Sequence, residues 1–199
     1  MALAALKWVD PWTTAVQAQR RAEALLARTR YRKQYQFVPL GSISPDLQHA
    51  VIAAEDGRFY QHHGIDWQQV HIVVDESLET GEVPRGASTI TQQLIKNLFL
   101  TTSRTALRKA FEFSLVPLTE KILGKQRILE LYLNVIEWGP GVYGAEAAAR
   151  FHYRTSAARL NRDQSARLAA ILPAPRKRKP QRMSQYSAAI LKRMSQMGW

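Results

Sequence analysis

Val51-Ile52-Ala53-Ala54-Glu55-Asp56-Gly57-Arg58-Phe59 decides how this chain is read, because a carboxylate interrupts an apolar helical stripe. Leu47, Val51, Glu55 and Phe59 recur every fourth residue, so on a helix they share one face and Glu55 projects where a core contact is expected. Ser44-Pro45-Asp46 supports a helix start, with Ser44 as N-cap and Pro45 at the first helical position. Burial disfavours the charged form of a carboxylate and raises its pKa towards the range where it accepts a proton at neutral pH. The alternative leaves Glu55 solvated at a fraying helix end before Gly57.

Around this stretch, 199 residues with 46% hydrophobic content are enough for one packed core, so a single domain is expected. No apolar run approaches the roughly 18 residues that span a bilayer. Residues 1–8 are too short for a signal-peptide core and cleavage site, so the protein is soluble or an anchor lies upstream. The absence of cysteine excludes disulfides and thiolate metal sites. A formal charge of +12 draws polyanions to the surface, whether nucleic acid, anionic lipid head groups or phosphorylated substrates. The densest basic run, Arg176-Lys177-Arg178-Lys179, lies among Pro173, Pro175 and Pro180 and reads as an exposed loop.

Helical periodicity dominates the rest, giving a mainly α class with no internal repeat. A polar amphipathic helix is predicted over residues 13–30, and 34–40 is the one candidate strand. Ser88 is expected to cap a helix to about Leu98 with Ile90, Leu94 and Leu98 inward, and Ser103 the next, with Leu107, Phe111, Leu115 and Leu118 as its apolar stripe. Pro117 should kink or end that helix, and Gly124 should stop it. Residues 127–138 carry Ile128, Leu129, Tyr132, Leu133 and Ile136 at helical spacing before Gly139-Pro140-Gly141, and three more helices follow near 143–153, 162–172 and 185–197. The pattern weakens over residues 67–85, where an acidic, turn-prone run predicts a mobile loop, either a lid over a cleft or a disordered insertion.

Arg104, Arg108 and Glu112 fall four apart on one helical face, and Gln92 and Lys96 do so on the neighbouring helix. Taken alone these are surface ion pairs worth about 0.3–0.5 kcal/mol each. Together the two helices could converge Lys96, Arg104 and Arg108 on one phosphate, since arginine forks and a lysine point charge suit a pyrophosphate. The amides at the start of the Ser88 helix, after Gly86, add a candidate anion site. Phosphate-binding glycine loops and nucleophile-elbow motifs are absent. His62 and His63 are adjacent and cannot both face one metal from a helix, so they read as hydrogen-bonding or packing groups at the Gly64 turn.

Five segments in order resemble the family 51 peptidoglycan glycosyltransferases, the domain of class A penicillin-binding proteins and of monofunctional transglycosylases. Glu55-Asp56-Gly57-Arg58-Phe59-Tyr60-Gln61-His62-His63-Gly64 is similar to that family's first motif, Glu-Asp-x-x-Phe-x-x-His-x-Gly. Arg85-Gly86-Ala87-Ser88-Thr89-Ile90-Thr91-Gln92-Gln93-Leu94-Ile95-Lys96-Asn97 resembles the second, and Arg108-Lys109-Ala110-Phe111-Glu112 the third. Arg127-Ile128-Leu129-Glu130-Leu131-Tyr132-Leu133-Asn134 resembles the fourth and Gly141-Val142-Tyr143-Gly144-Ala145-Glu146-Ala147-Ala148-Ala149-Arg150 the fifth. Three departures stand out: Ala87 replaces a common glycine, Phe111 takes a position that is basic in some members, and Arg150-Phe151-His152-Tyr153 ends the fifth segment differently. The resemblance is closest to the monofunctional subgroup.

That resemblance implies a lysozyme-like helical fold, one domain with a cleft and a mobile membrane-proximal segment. Residues 1–40 would form an N-terminal helix and linker after an upstream anchor, and 41–199 the glycosyltransferase domain. It implies polymerisation of a lipid-linked disaccharide-pentapeptide into glycan strands, by inverting transfer with release of undecaprenyl pyrophosphate. Glu55 would be the general base. Lys96, Arg104 and Arg108 would hold the pyrophosphate, with Ser88 and Lys109 beside them. Glu112 would orient that cluster or help bind a cation, Mg2+ or Mn2+, with no organic cofactor. Gln92, Gln93 and Asn97 would position sugar or phosphate. The partners implied are the precursor, the growing chain, the membrane surface and other cell wall synthases, with no nucleic acid. The site would face the periplasm from the inner membrane and be sensitive to moenomycin. Two other readings are a lysozyme-like hydrolase, which leaves the basic residues unexplained, and a nucleic-acid-binding protein, favoured by charge alone.

Overall fold

The computed structural model describes residues 2–81, 88–103 and 105–199. Among these, α1 (Ala2–Ala5) and α2 (Ala15–Leu26) precede β1 (Gln34–Tyr35), and α3 (Pro45–Glu55), α4 (Trp67–Thr80) and α5 (Ile90–Phe99) follow. A long α6 (Ala106–Val135) leads to β2 (Glu137–Gly139) and β3 (Val142–Tyr143), and the chain closes with α7 (Ala145–Tyr153), α8 (Arg162–Ala169) and α9 (Ser184–Gln196). The mainly α expectation holds. The small sheet has the order β1-β3-β2, with β1 parallel to β3 in the register Gln34 to Val142 and β2 antiparallel to β3.

The core forms where α3, α5 and the second half of α6 bring their apolar faces together. Leu47, Val51, Ile90, Leu94, Ile128, Leu129 and Leu133 are fully buried there. The alanines of α7 and α8 complete it, because side chains of that size let neighbouring elements approach closely. α8 and α9 pack on α3, and α2 packs on α5. The stripes read at 90–98 and 127–138 are therefore core faces.

Several expectations are corrected. The helix carrying Glu55 ends at that residue, with Asp56 as C-cap, and Phe59 is buried from the following turn rather than from the same helical face. Ser44 precedes Pro45 as expected but does not cap with its side chain; its hydroxyl donates to the Leu160 carbonyl at 2.7 Å, pinning α3 to the segment before α8. Thr89, not Ser88, caps α5 in a capping box with Gln92, and Thr105, not Ser103, caps α6. Pro117 is carried within α6, and the break falls at Gly124 (φ 71°, ψ 164°). The candidate strand shrinks to two residues because only Gln34 and Tyr35 find a partner, on β3.

Most of the predicted 67–85 loop is helix α4, capped by Asp66 at its start and Gly81 at its end; residues 82–87 lie outside the described residues. No α4 residue is buried, which is why the sequence shows weak contrast between faces. The first half of α6 inverts the expected polarity: Leu107 is 83% exposed and Phe111 52%, while Glu112 is 3% exposed. A helical period reports an amphipathic face but not what covers it.

Candidate active site

α3 and α5 are fastened together by the turn between them. Asp56 Oδ2 accepts the Ile90 amide at 2.9 Å, and its Oδ1 accepts His62 Nε2 at 2.8 Å. His62 Nδ1 accepts the Gly64 amide at 3.0 Å, which assigns the ring proton to Nε2. Thr89 Oγ1 donates to the Gly64 carbonyl at 2.6 Å. Gly64 itself must be a glycine, since at φ 92° an added Cβ would lie 2.3 Å from Val116 Cγ1. The helix start anticipated as an anion site is thus already filled by the chain's own Asp56 carboxylate.

Asp56, His62 and Asp66 bring one ligand atom each within 4.8 Å of one another. The trio does not suit a metal, because Nε2 carries the proton that bonds Asp56 and Asp66 Oδ1 accepts the Gln69 amide at 3.1 Å. His62 is the hydrogen-bonding residue the sequence suggested.

With α3 so placed, Glu55 Oε2 accepts Gln93 Nε2 at 2.7 Å, and Gln93 Oε1 accepts the Tyr132 hydroxyl at 2.8 Å. Burial pushes the Glu55 pKa up from the usual carboxylate value, while the Gln93 hydrogen bond and the Lys96 charge oppose the rise. Glu55 does end its helix, as the solvated alternative had it, but it is half-buried and held by Gln93 rather than simply solvated. Sequence reading placed Tyr132 in the apolar stripe and missed this role; a tyrosine buried on a core face needs a partner for its hydroxyl, and that was the available signal.

Glu55 lines a cavity of about 420 Å³ with Asp56, Ser88 and Arg193. Gln93 lines a second, of about 360 Å³, with Lys96, Asn97, Arg108 and Tyr132. The Glu55 to Gln93 hydrogen bond therefore joins the walls of the two. The Lys96 ammonium makes no hydrogen bond or ion pair with a described residue; burial lowers its pKa, the nearby Glu112 carboxylate opposes that, and Arg108 adds to it. Arg108 Nη1 bonds Glu112 Oε2 at 2.7 Å, and Lys109 Nζ contacts the other Glu112 oxygen and donates to Ser88 Oγ at 3.3 Å.

Lys96, Arg108, Lys109, Ser88, Gln93, Asn97 and Glu112 thus converge between α5 and α6. Gln92 does not join them: it is buried, and its side-chain oxygen accepts the Thr89 amide in the α5 cap. Arg104 and the Arg85-Gly86-Ala87 segment lie outside the described residues. Thr102, two positions before Arg104, is gripped from α2: the Gln19 amide donates to its hydroxyl and accepts its N–H, both at 2.8 Å. Both Glu112 oxygens are engaged, so a Mg2+ or Mn2+ ion at Glu112 does not fit this donor set without displacing Arg108 or Lys109.

Residues 22–196 match the protein family described as "Transglycosylase". The "Biosynthetic peptidoglycan transglycosylase" of Laribacter hongkongensis is 46% identical over 170 residues, covering 85% of this chain and 75% of the relative. Its namesake from Dechloromonas aromatica is 44% identical over 191 residues, 94% of this chain and 83% of the relative. That of Bordetella pertussis is 49% identical over 171 residues, 84% and 71% respectively. The chain belongs to the transglycosylase family and is a peptidoglycan glycosyltransferase, an enzyme that polymerises glycan strands for the cell wall.

Proposed function

We propose that Glu55 is the general base and that the two cavities divide the reaction, acceptor on the Glu55 side and donor pyrophosphate on the Lys96 side. The observation that carries this is the Glu55 to Gln93 hydrogen bond of 2.7 Å, which sets the carboxylate at the boundary of both. The acceptor sugar's 4-hydroxyl gives its proton to Glu55 as its oxygen bonds the anomeric carbon of the growing chain. The bond from that carbon to the phosphate oxygen breaks, the electron pair leaves with undecaprenyl pyrophosphate, and configuration inverts without a covalent enzyme intermediate.

Lys96 and Arg108, with Arg104, meet the charge that develops on the leaving group; a desolvated ammonium with no hydrogen-bond or ion-pair partner among the described residues is suited to that task. Glu112 holds Arg108 and Lys109 in place, and Lys109 steadies Ser88. Asn97, whose Nδ2 donates to the Gln93 carbonyl at 2.8 Å, stiffens the same turn of α5.

The substrate's lipid explains a surface the fold leaves uncovered. Trp67 and Leu78 on α4 are 61% and 81% exposed, and Leu107 and Phe111 on α6 are also exposed. Leaving such side chains in water forgoes roughly 1.5–3 kcal/mol each relative to full burial, which favours an apolar partner. These helices would lie in the interface of the cytoplasmic membrane on its periplasmic side, held also by attraction of a +12 protein to anionic head groups. No helix among the described residues is long and apolar enough to cross a membrane.

Incubation with labelled lipid-linked precursor tests the mechanism. Wild-type protein should build strands and be blocked by moenomycin, and Glu55→Gln should lose about 10²–10⁴-fold in rate while still binding precursor. Near-normal synthesis by Glu55→Gln removes Glu55 from the base role.

A further inference from the structure

A third cavity, of about 320 Å³, adjoins the Lys96 cavity, and the two share Arg20 and Glu137 as lining residues. Glu55, Gln93, the Lys96 cavity and this third cavity are therefore connected in succession, each to the next. Its lining also includes Arg30, Arg32 and Arg176. Arg20 is already neutralised, donating to Glu23 at 2.8 Å and to Glu137 at 3.3 Å. Arg176 reaches Glu23 only at 3.8 Å, and Arg30 and Arg32 have no ion-pair partner among the described residues. The cavity consequently carries surplus positive charge on guanidinium forks.

The segment bearing these arginines is fixed to the sheet. The Gln34 amide donates to the Gly141 carbonyl at 2.8 Å, and the hydroxyls of Tyr31 and Tyr143 lie 3.3 Å apart. Gly141 (φ 76°) permits the approach, since an added Cβ there would sit 2.6 Å from the Arg32 carbonyl oxygen. Arg32 is held against the cavity by backbone contacts, unlike a side chain on a free loop.

We propose that this third cavity binds the carboxylate-bearing peptide carried by the growing strand as it leaves the phosphate cavity. The inference rests on the donor placement proposed above. A strand tied to the pyrophosphate by its reducing end must lead its remaining sugars away from that cavity, and each disaccharide carries a peptide that ends in a carboxylate. Arginine forks hold carboxylates through paired hydrogen bonds, and Arg30, Arg32 and Arg176 offer three. The occupant is thus a peptide anion rather than a second lipid phosphate.

The test compares purified glycan strands that retain their peptides with the same strands stripped of peptide, each end-labelled and titrated with full-chain protein by fluorescence anisotropy. Arg30→Ala/Arg32→Ala should bind peptide-bearing strands about five- to tenfold more weakly than wild type, with stripped strands unaffected and the difference fading at high salt. Both residues are exposed, so folding is not at issue. Equal losses on both strands would assign the arginines to sugar or lipid phosphate, and unchanged binding would leave the cavity without a ligand; either result overturns the proposal. Failure of wild-type protein to polymerise precursor would count against the mechanism above, while the strand comparison still decides this site.

Discussion

Lys96→Met should make the protein more stable and nearly inactive at once. The Lys96 ammonium lines the Lys96–Arg108 cavity without a hydrogen bond or ion pair to a described residue, and burial first, then the positive charge of Arg108 and Lys109, depresses its pKa against the pull of Glu112 and Glu55. Folding therefore disfavours the ammonium, and methionine keeps an unbranched stem while removing the charge. The relief should be roughly 1–2 kcal/mol at neutral pH, the scale of replacing a poorly solvated ion by an apolar group. For a chain of this size that corresponds to a Tm rise of about 2–8 °C. The sign carries a pH signature. A lysine whose folded pKa is depressed destabilises most where it is charged, so the advantage of the variant should shrink as pH rises towards the unfolded lysine value of about 10.4. Rate should fall about 10²–10³-fold, as for loss of one donor to a developing negative charge. Thermal unfolding monitored by circular dichroism across pH, together with strand synthesis from labelled precursor, reads both effects. A Tm that drops by several degrees would make Lys96 a structural ion, and a raised Tm with unchanged rate would empty the phosphate site of its lysine.

Because Glu55 must be ionised to accept a proton and burial raises its pKa, the rate at saturating precursor should fall as pH drops through a value above the usual carboxylate range; a rate that is flat across that range removes Glu55 as base. Tyr132→Phe takes away the hydroxyl that orients the Gln93 amide, so the Gln93 hydrogen bond that favours the charged form of Glu55 weakens and the acid limb should move to higher pH; a superimposable profile would reduce Tyr132 to packing. Glu112→Ala leaves Arg108 and Lys109 unpaired at a carboxylate that is 3% exposed, a loss of about 2–4 kcal/mol once the partial exposure of both cations is allowed for. A loss under about 1 kcal/mol by denaturant titration would show that these pairs are solvent-screened. Trp67→Ser/Leu78→Ser/Leu107→Ser should weaken binding to anionic lipid vesicles with little change in Tm, since all three side chains are exposed; undiminished binding would place the bilayer elsewhere.

The sequence by itself determined the helical class, the faces of α5 and of the second half of α6, the family, and most of the residues that meet at the site. Those are local properties: an apolar period is written into consecutive residues, and the Asn161 cap with Gln164 could be read the same way. Only the tertiary structure decided which partner each polar group finds. Asp56 fills the start of α5 instead of a substrate phosphate, Gln92 serves a cap, and Tyr132 is linked through Gln93 to a carboxylate on another helix, because these contacts join positions 34 to 39 residues apart or compete with equally short alternatives. The same limit reversed the reading of α4 and early α6. A stripe facing a protein core and a stripe facing lipid have one sequence signature, and only the packed molecule shows which of them is left uncovered.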